Sequence, residues 1–140
     1  MSIPSFSPNI QSPRFSGLPL PAFVVSTIAT AAAVTFSAAQ VLGGLILRDP
    51  AGAGRADLLP TAADLLALMP SPAVGMGFEF TIRNTADAAE TITVTTNTGL
   101  TLSGTMTIAQ NNTKRFLVVF TNVTTGSVAA TVYSLGTVVH

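Results

Sequence analysis

No cysteine occurs among the 140 residues. That excludes a disulfide framework, thiol catalysis and cysteine-based zinc sites. Tryptophan is absent as well, and Tyr133 is the single tyrosine beside eight phenylalanines. Sugar-binding faces favour Trp and Tyr, which pair an apolar body with a polar tip. There is one histidine, His140, and one lysine, Lys114. A Ser–His mechanism would have to use the last residue, so the inventory of reactive groups is thin. Charge is scarce: 9% of residues are charged, against about 25% in a typical domain. Six basic and six acidic residues cancel, leaving no field to gather nucleic acid. A monomer normally carries more charge to stay dispersed. A surface this poor in charge suits a protein buried against neighbours.

The acidic residues form no recognised site. Asp49, Asp57 and Asp64 match no calcium-loop spacing. The simpler reading has Asp49 closing a strand, Asp57 in a loop with Arg55, and Asp64 supporting a helix start. Glu79 and Glu90 fall on predicted adjacent strands, where paired carboxylates could do acid–base work. Arg83, Lys114 and Arg115 share that sheet, so cross-strand ion pairs are the plainer account. "GAG" at 52–54 lacks the Gly-Lys-Ser/Thr of a phosphate loop. No catalytic residue, metal or cofactor is expected. The start, "MSIPSFSPNI", has no basic region followed by an apolar run, so no secretory signal is expected. The sequons at Asn111 and Asn122 are then read as chance.

What the chain has in quantity is apolar residues, 48%, and proline at the front. "PSFSPNIQSPRFSGLPLPAF" holds five of nine prolines, interleaved with Phe6, Ile10, Phe15, Leu18 and Leu20. Each proline fixes φ, removes a donor and extends the residue before it. Residues 1–22 are therefore an extended arm, too apolar for a solvated tail, that needs another surface to order it. From Phe15 to Leu47 no residue is charged. That run exceeds the ~20 residues of a membrane span. Ser26, Thr27, Thr30, Thr35, Ser37 and Gln40 interrupt it, and its β-branched residues favour strands. A membrane association through residues 23–47 stays as an alternative.

Residues 23–140 read as one domain. "AAVTFSA" is expected as a strand ending in a Ser-Ala-Ala-Gln turn, followed by a buried strand in "VLGGLILRD". Residues 61–69 are the one expected helix, with Thr61 as cap and Asp64 three residues on. Pro70 and Pro72 stop it. "FEFTIRN" alternates, with Phe78, Phe80 and Ile82 on one face. "ETITVTT" places Ile92 and Val94 inward, and a hairpin-type turn is expected around Asn97 and Gly99. "KRFLVVFTNV" is apolar on both faces in its middle, as a central strand should be. Turn signals recur about every eight to twelve residues. The pattern predicts an all-β sandwich or jelly-roll-like domain of about seven to eight strands with one short helix.

The stretches "GGLILRDPAGAGRADLLPTAADLLALMP", "FEFTIRNTADAAETITV" and "TIAQNNTKRFLVVFTNV" resemble small structural domains of tailed-phage virions, the capsid decoration (cement) and head-spike proteins. The likeness lies in general character, that of a polar-aliphatic β domain with Thr- and Asn-rich turns. It implies a β-sandwich or jelly-roll body, often a homotrimer, standing on the capsid surface. It also implies a terminal arm laid across the major capsid protein. On that reading Phe6, Ile10, Phe15 and Leu18 are the arm's partner-binding residues. The alternatives are an arm that covers a sheet edge of its own domain, or a receptor- or glycan-binding spike tip.

Overall fold

The computed structural model describes residues 22–140. The expected arm, with Phe6, Ile10, Phe15 and Leu18, lies outside them except for Ala22. The described residues form β1 (Val24–Ala29), α1 (Ala38–Leu42), β2 (Gly44–Asp49), β3 (Arg55–Leu58), α2 (Ala62–Ala67), β4 (Gly77–Asn84), β5 (Ile92–Thr95), β6 (Leu100–Ser103), β7 (Thr107–Ile108), β8 (Asn112–Asn122) and β9 (Ala129–Val139). The described residues are mostly β, with nine strands where seven to eight were expected and two short helices where one was.

The strands make two sheets. The longer has the order β1-β2-β4-β8-β9-β6, and the shorter β3-β5-β7. Both are mixed. β1–β2, β2–β4, β3–β5 and β6–β9 are parallel, whereas β4–β8, β8–β9 and β5–β7 are antiparallel. Parallel neighbours need a crossover rather than a tight turn. The chain between β1 and β2 supplies one by way of α1, and the chain between β2 and β4 supplies another through β3 and α2.

Alternation decides which side of the long sheet is the core. On β4, Phe80 and Ile82 are buried and Glu79 and Arg83 exposed, as the sequence pattern requires. On β8 the inward set is Lys114, Phe116, Val118 and Phe120. Phe80 and Phe116 are register partners, and their rings stack with centroids 5.0 Å apart. From the short sheet Ile92, Val94 and Ile108 join the same cluster, with Val41 of α1 and Leu65 of α2. Phe116, Phe80 and Ile82 are almost wholly removed from water, each contributing about 1.5–3 kcal/mol by burial. β8 lies inside the sheet, as its two apolar faces predict.

Four expectations are corrected. "AAVTFSA" is not a strand; its ladder pairing is a single isolated bridge, Thr35 to Leu58. The Ser-Ala-Ala-Gln segment is not a turn but the start of α1. Ser37 Oγ accepts from Gln40 N, and Gln40 Oε1 accepts from Ser37 N, a complete capping box. The turn at Asn97 and Gly99 closes no hairpin, because β5 and β6 belong to different sheets. There the chain is held by Ala62 N donating to Thr98 O and Asn97 Nδ2 donating to Leu59 O. Finally, Asp57 lies in β3 and not in a loop. The expected helix at 61–69 is present as α2, with Thr61 Oγ1 accepting from Asp64 N. No described helix is long and apolar enough to cross a membrane. Within residues 23–47 the chain forms β1, α1 and the first part of β2.

Candidate interaction surface

The buried polar groups are structural ties. Arg48 and Asp57, both fully buried, pair Nε to Oδ2 at 2.6 Å and Nη2 to Oδ1 at 3.1 Å. Arg48 also donates to the carbonyls of Thr30, Ala32 and Asp49. Asp57 Oδ1 accepts from Val34 N. The pair thus fastens β2 to β3 and pins the segment between β1 and α1. With its donors spread over four acceptors, this guanidinium has no role left to play on a substrate.

Asn84 Nδ2 donates to the carbonyls of Glu90 and Ile108, binding the long sheet to the short one. Lys114 is buried, and its Nζ donates to Thr105 O at 2.8 Å. Desolvation holds its pKa below the ordinary 10.5.

The carboxylates considered for chemistry do not converge. Glu79 projects from the outer face of β4 and faces Arg115 at 3.9 Å, both well exposed. Glu90 lies just before β5 and is buried; its Oε2 accepts from Gly52 N. Its Oε1 has no hydrogen-bond partner among the described residues. Asp49 Oδ1 accepts from Ala51 N, and Asp64 sits exposed in the first turn of α2. Among the described residues no three His, Cys, Asp or Glu side chains come together. His140 is tied back by its main-chain N–H to Asn111 O, and its Nδ1 lies 3.0 Å from Thr113 Oγ1. An open hollow of about 580 Å³ lies over Thr81, Arg115 and Leu135–Val138. It holds one charged group and no general base.

The surface is more informative. The outer face of the long sheet carries Leu45, Leu47, Leu117 and Val119, all only half-buried, with Tyr133 exposed beside them. Beyond it, Val138 and Val139 at the end of β9 are 68% and 75% exposed. At one edge of the sheet Phe23, Val24 and Val25 are exposed as well. Only Glu79, Arg83 and Arg115 bring charge to the β4–β8 part of this face. The sequence signal for the edge is the uncharged run from Phe15 to Leu47, whose length suggests a membrane segment before it suggests an open strand. Comparison of the chain with models of protein families, with curated proteins and with solved structures found no match.

Proposed function

We propose that this chain is a structural virion protein: a β-sandwich or jelly-roll-type module that decorates a capsid and stabilises it by binding the major capsid protein. The observation that carries the reading is the apolar, charge-poor outer face of the long sheet together with its exposed edge. Apolar residues left uncovered on one side of a small domain, Leu45 and Leu47 on β2, Leu117 and Val119 on β8, and Phe23, Val24 and Val25 at the edge, suit an interaction site. The absence of converging reactive groups among the described residues fits a protein that binds rather than turns over substrate. In this reading residues 1–22 lie in grooves between capsid subunits, with Phe6, Ile10, Phe15 and Leu18 filling apolar pockets. Each such anchor is worth about 1.5–3 kcal/mol, and a segment whose prolines restrict φ loses less entropy on docking. The homotrimer that the resemblance implies would multiply the arms and add avidity without new contacts per arm.

The test is co-sedimentation with shells of the capsid protein from the same virion, comparing the full chain with one lacking residues 1–22. The full chain should bind and stiffen the shells against heat, and the shortened chain should bind at least tenfold more weakly. Equal binding would remove the arm as anchor. No binding by either would remove the capsid reading.

A further inference from the structure

β1 closes one side of the long sheet, and among the described residues only β2 pairs with it. Its other side presents a row of main-chain N–H and C=O groups. Natural sheets blunt such edges with charge, proline, a bulge or a covering element. Val24–Ala29, VVSTIA, has neither charge nor proline, and its pairing with β2 runs without a bulge from Val24 to Ala29. Ile28 packs against the core, but Val24 and Val25 at the start of the strand are 63% and 54% exposed, and among the described residues nothing covers its edge. The opposite edge, β6, is shorter and ends at Gly104, whose φ of +99° turns the chain away.

What satisfies a row of main-chain groups is another extended strand. The chain's own N-terminal residues are poorly suited. From Pro4 to Pro21 no proline-free run exceeds five residues, and each proline removes a ladder donor. A second copy of β1 meets every requirement. It is extended and free of proline, and two uncharged strands bring no like charges together. Paired antiparallel, two identical strands are related by a two-fold axis, the commonest closed symmetry.

We propose that two copies of this chain join edge to edge through β1, antiparallel, so that their long sheets become one. Directly opposed residues of an antiparallel pair share a face. The axis therefore passes through a single residue near the strand's middle, Ser26 or Thr27. The contact does not rest on the capsid reading. On a shell it would link copies that also meet around another axis.

The chain has no cysteine, so single introduced thiols report cleanly. At the axis the two equivalent Cα atoms lie about 4.5–5.5 Å apart, inside the range a disulfide spans. Ser26→Cys and Thr27→Cys would be made in the full chain, with Ser103→Cys on β6 as control. One of the β1 variants should oxidise to a covalent dimer at least tenfold faster than the control. Sedimentation velocity of the unmodified chain should give species with an even number of copies. Thr27→Lys, which places two like charges near the axis on an exposed face, should halve that mass while far-UV circular dichroism stays unchanged. The proposal is overturned if neither β1 thiol cross-links faster than Ser103→Cys. It is equally overturned if Thr27→Lys leaves the mass as it was. A monomeric chain that resists cross-linking would return the edge to its own N-terminal residues.

Discussion

Arg48 on β2 and Asp57 on β3 meet as a fully buried ion pair, Nε to Oδ2 at 2.6 Å, across the gap between the two sheets. Removing one partner of such a pair strands a charge away from water and costs about 3–5 kcal/mol. Asp57→Ala should lower the unfolding free energy by that amount in a urea titration. Replacing both residues with apolar ones should cost no more than the single change, since no unpaired charge remains. A loss below about 1 kcal/mol in Asp57→Ala would mean that the pair does not hold the sheets together.

The capping box of α1 invites a smaller test. Ser37→Ala leaves Gln40 N without its acceptor and should cost about 0.5–2 kcal/mol. Ser37→Asp should restore most of it, because the carboxylate reaches the same N–H and favours a helix N-terminus. Thermal melts of the three proteins, run together, would separate the cap from any general sensitivity at this exposed position.

What could be read from the sequence was what depends on near neighbours. The alternation of Phe78, Phe80 and Ile82 located β4 and its inward face. Thr61 and Pro70 bracketed α2, and Ile92 and Val94 were placed in the core. Ser37–Gln40 reads locally as a turn, because the helix it starts has only five residues and little apolar periodicity to announce it. Asp57 was hidden because its partner Arg48 lies across a loop of Gly and Ala, and composition there says only "loop". Pairing was the least legible feature. Leu45 finds Thr81 and Leu100 finds Ala130, and no local pattern tells a strand to choose a distant parallel neighbour over the next one in the chain. Composition announced an apolar, charge-poor surface but could not say where the exposed apolar residues would lie.

Two glycines should respond differently to the same methyl group. At Gly99, φ is +83°, and an added Cβ would stand 2.5 Å from Val128 O and 2.8 Å from Ala62 Cβ. At Gly52, φ is +100°, with nothing within 4 Å. Gly52→Ala should cost about 1–2 kcal/mol from backbone strain alone. Gly99→Ala should cost more, because the backbone at Val128 and the start of α2 at Ala62 must also give way. Equal losses in a denaturant titration would show that the approach at Gly99 is easily relaxed.

Lys114 should make stability depend on pH in a particular direction. Burial disfavours its charged form, so the folded pKa lies below 10.5 while the unfolded chain keeps the ordinary value. Between those two values the unfolded chain binds more protons, and stability rises with pH. Below the folded pKa the cost of the buried charge is felt in full. Lys114→Met should abolish this rise while changing stability at neutral pH by less than about 1.5 kcal/mol, the order of the single hydrogen bond to Thr105 O. Subtracting the two unfolding curves across the alkaline range removes the contribution of other titrating groups. A flat difference would mean that Lys114 is better solvated than its position implies.

The position of β9 bears on how the chain reaches its fold. β9 lies between β8 and β6, so β6 has no neighbour in the sheet until β9 arrives. During synthesis Leu100 and Leu102 must therefore wait, unpaired, for the segment from Ala129 onward. Folding should be slow for a domain of this size, since every parallel contact closes a long loop before it is rewarded. It should also be nearly all-or-none. A chain arrested before β9 would display β8, with Phe116, Val118 and Phe120, as a raw edge, and such a fragment should aggregate rather than wait.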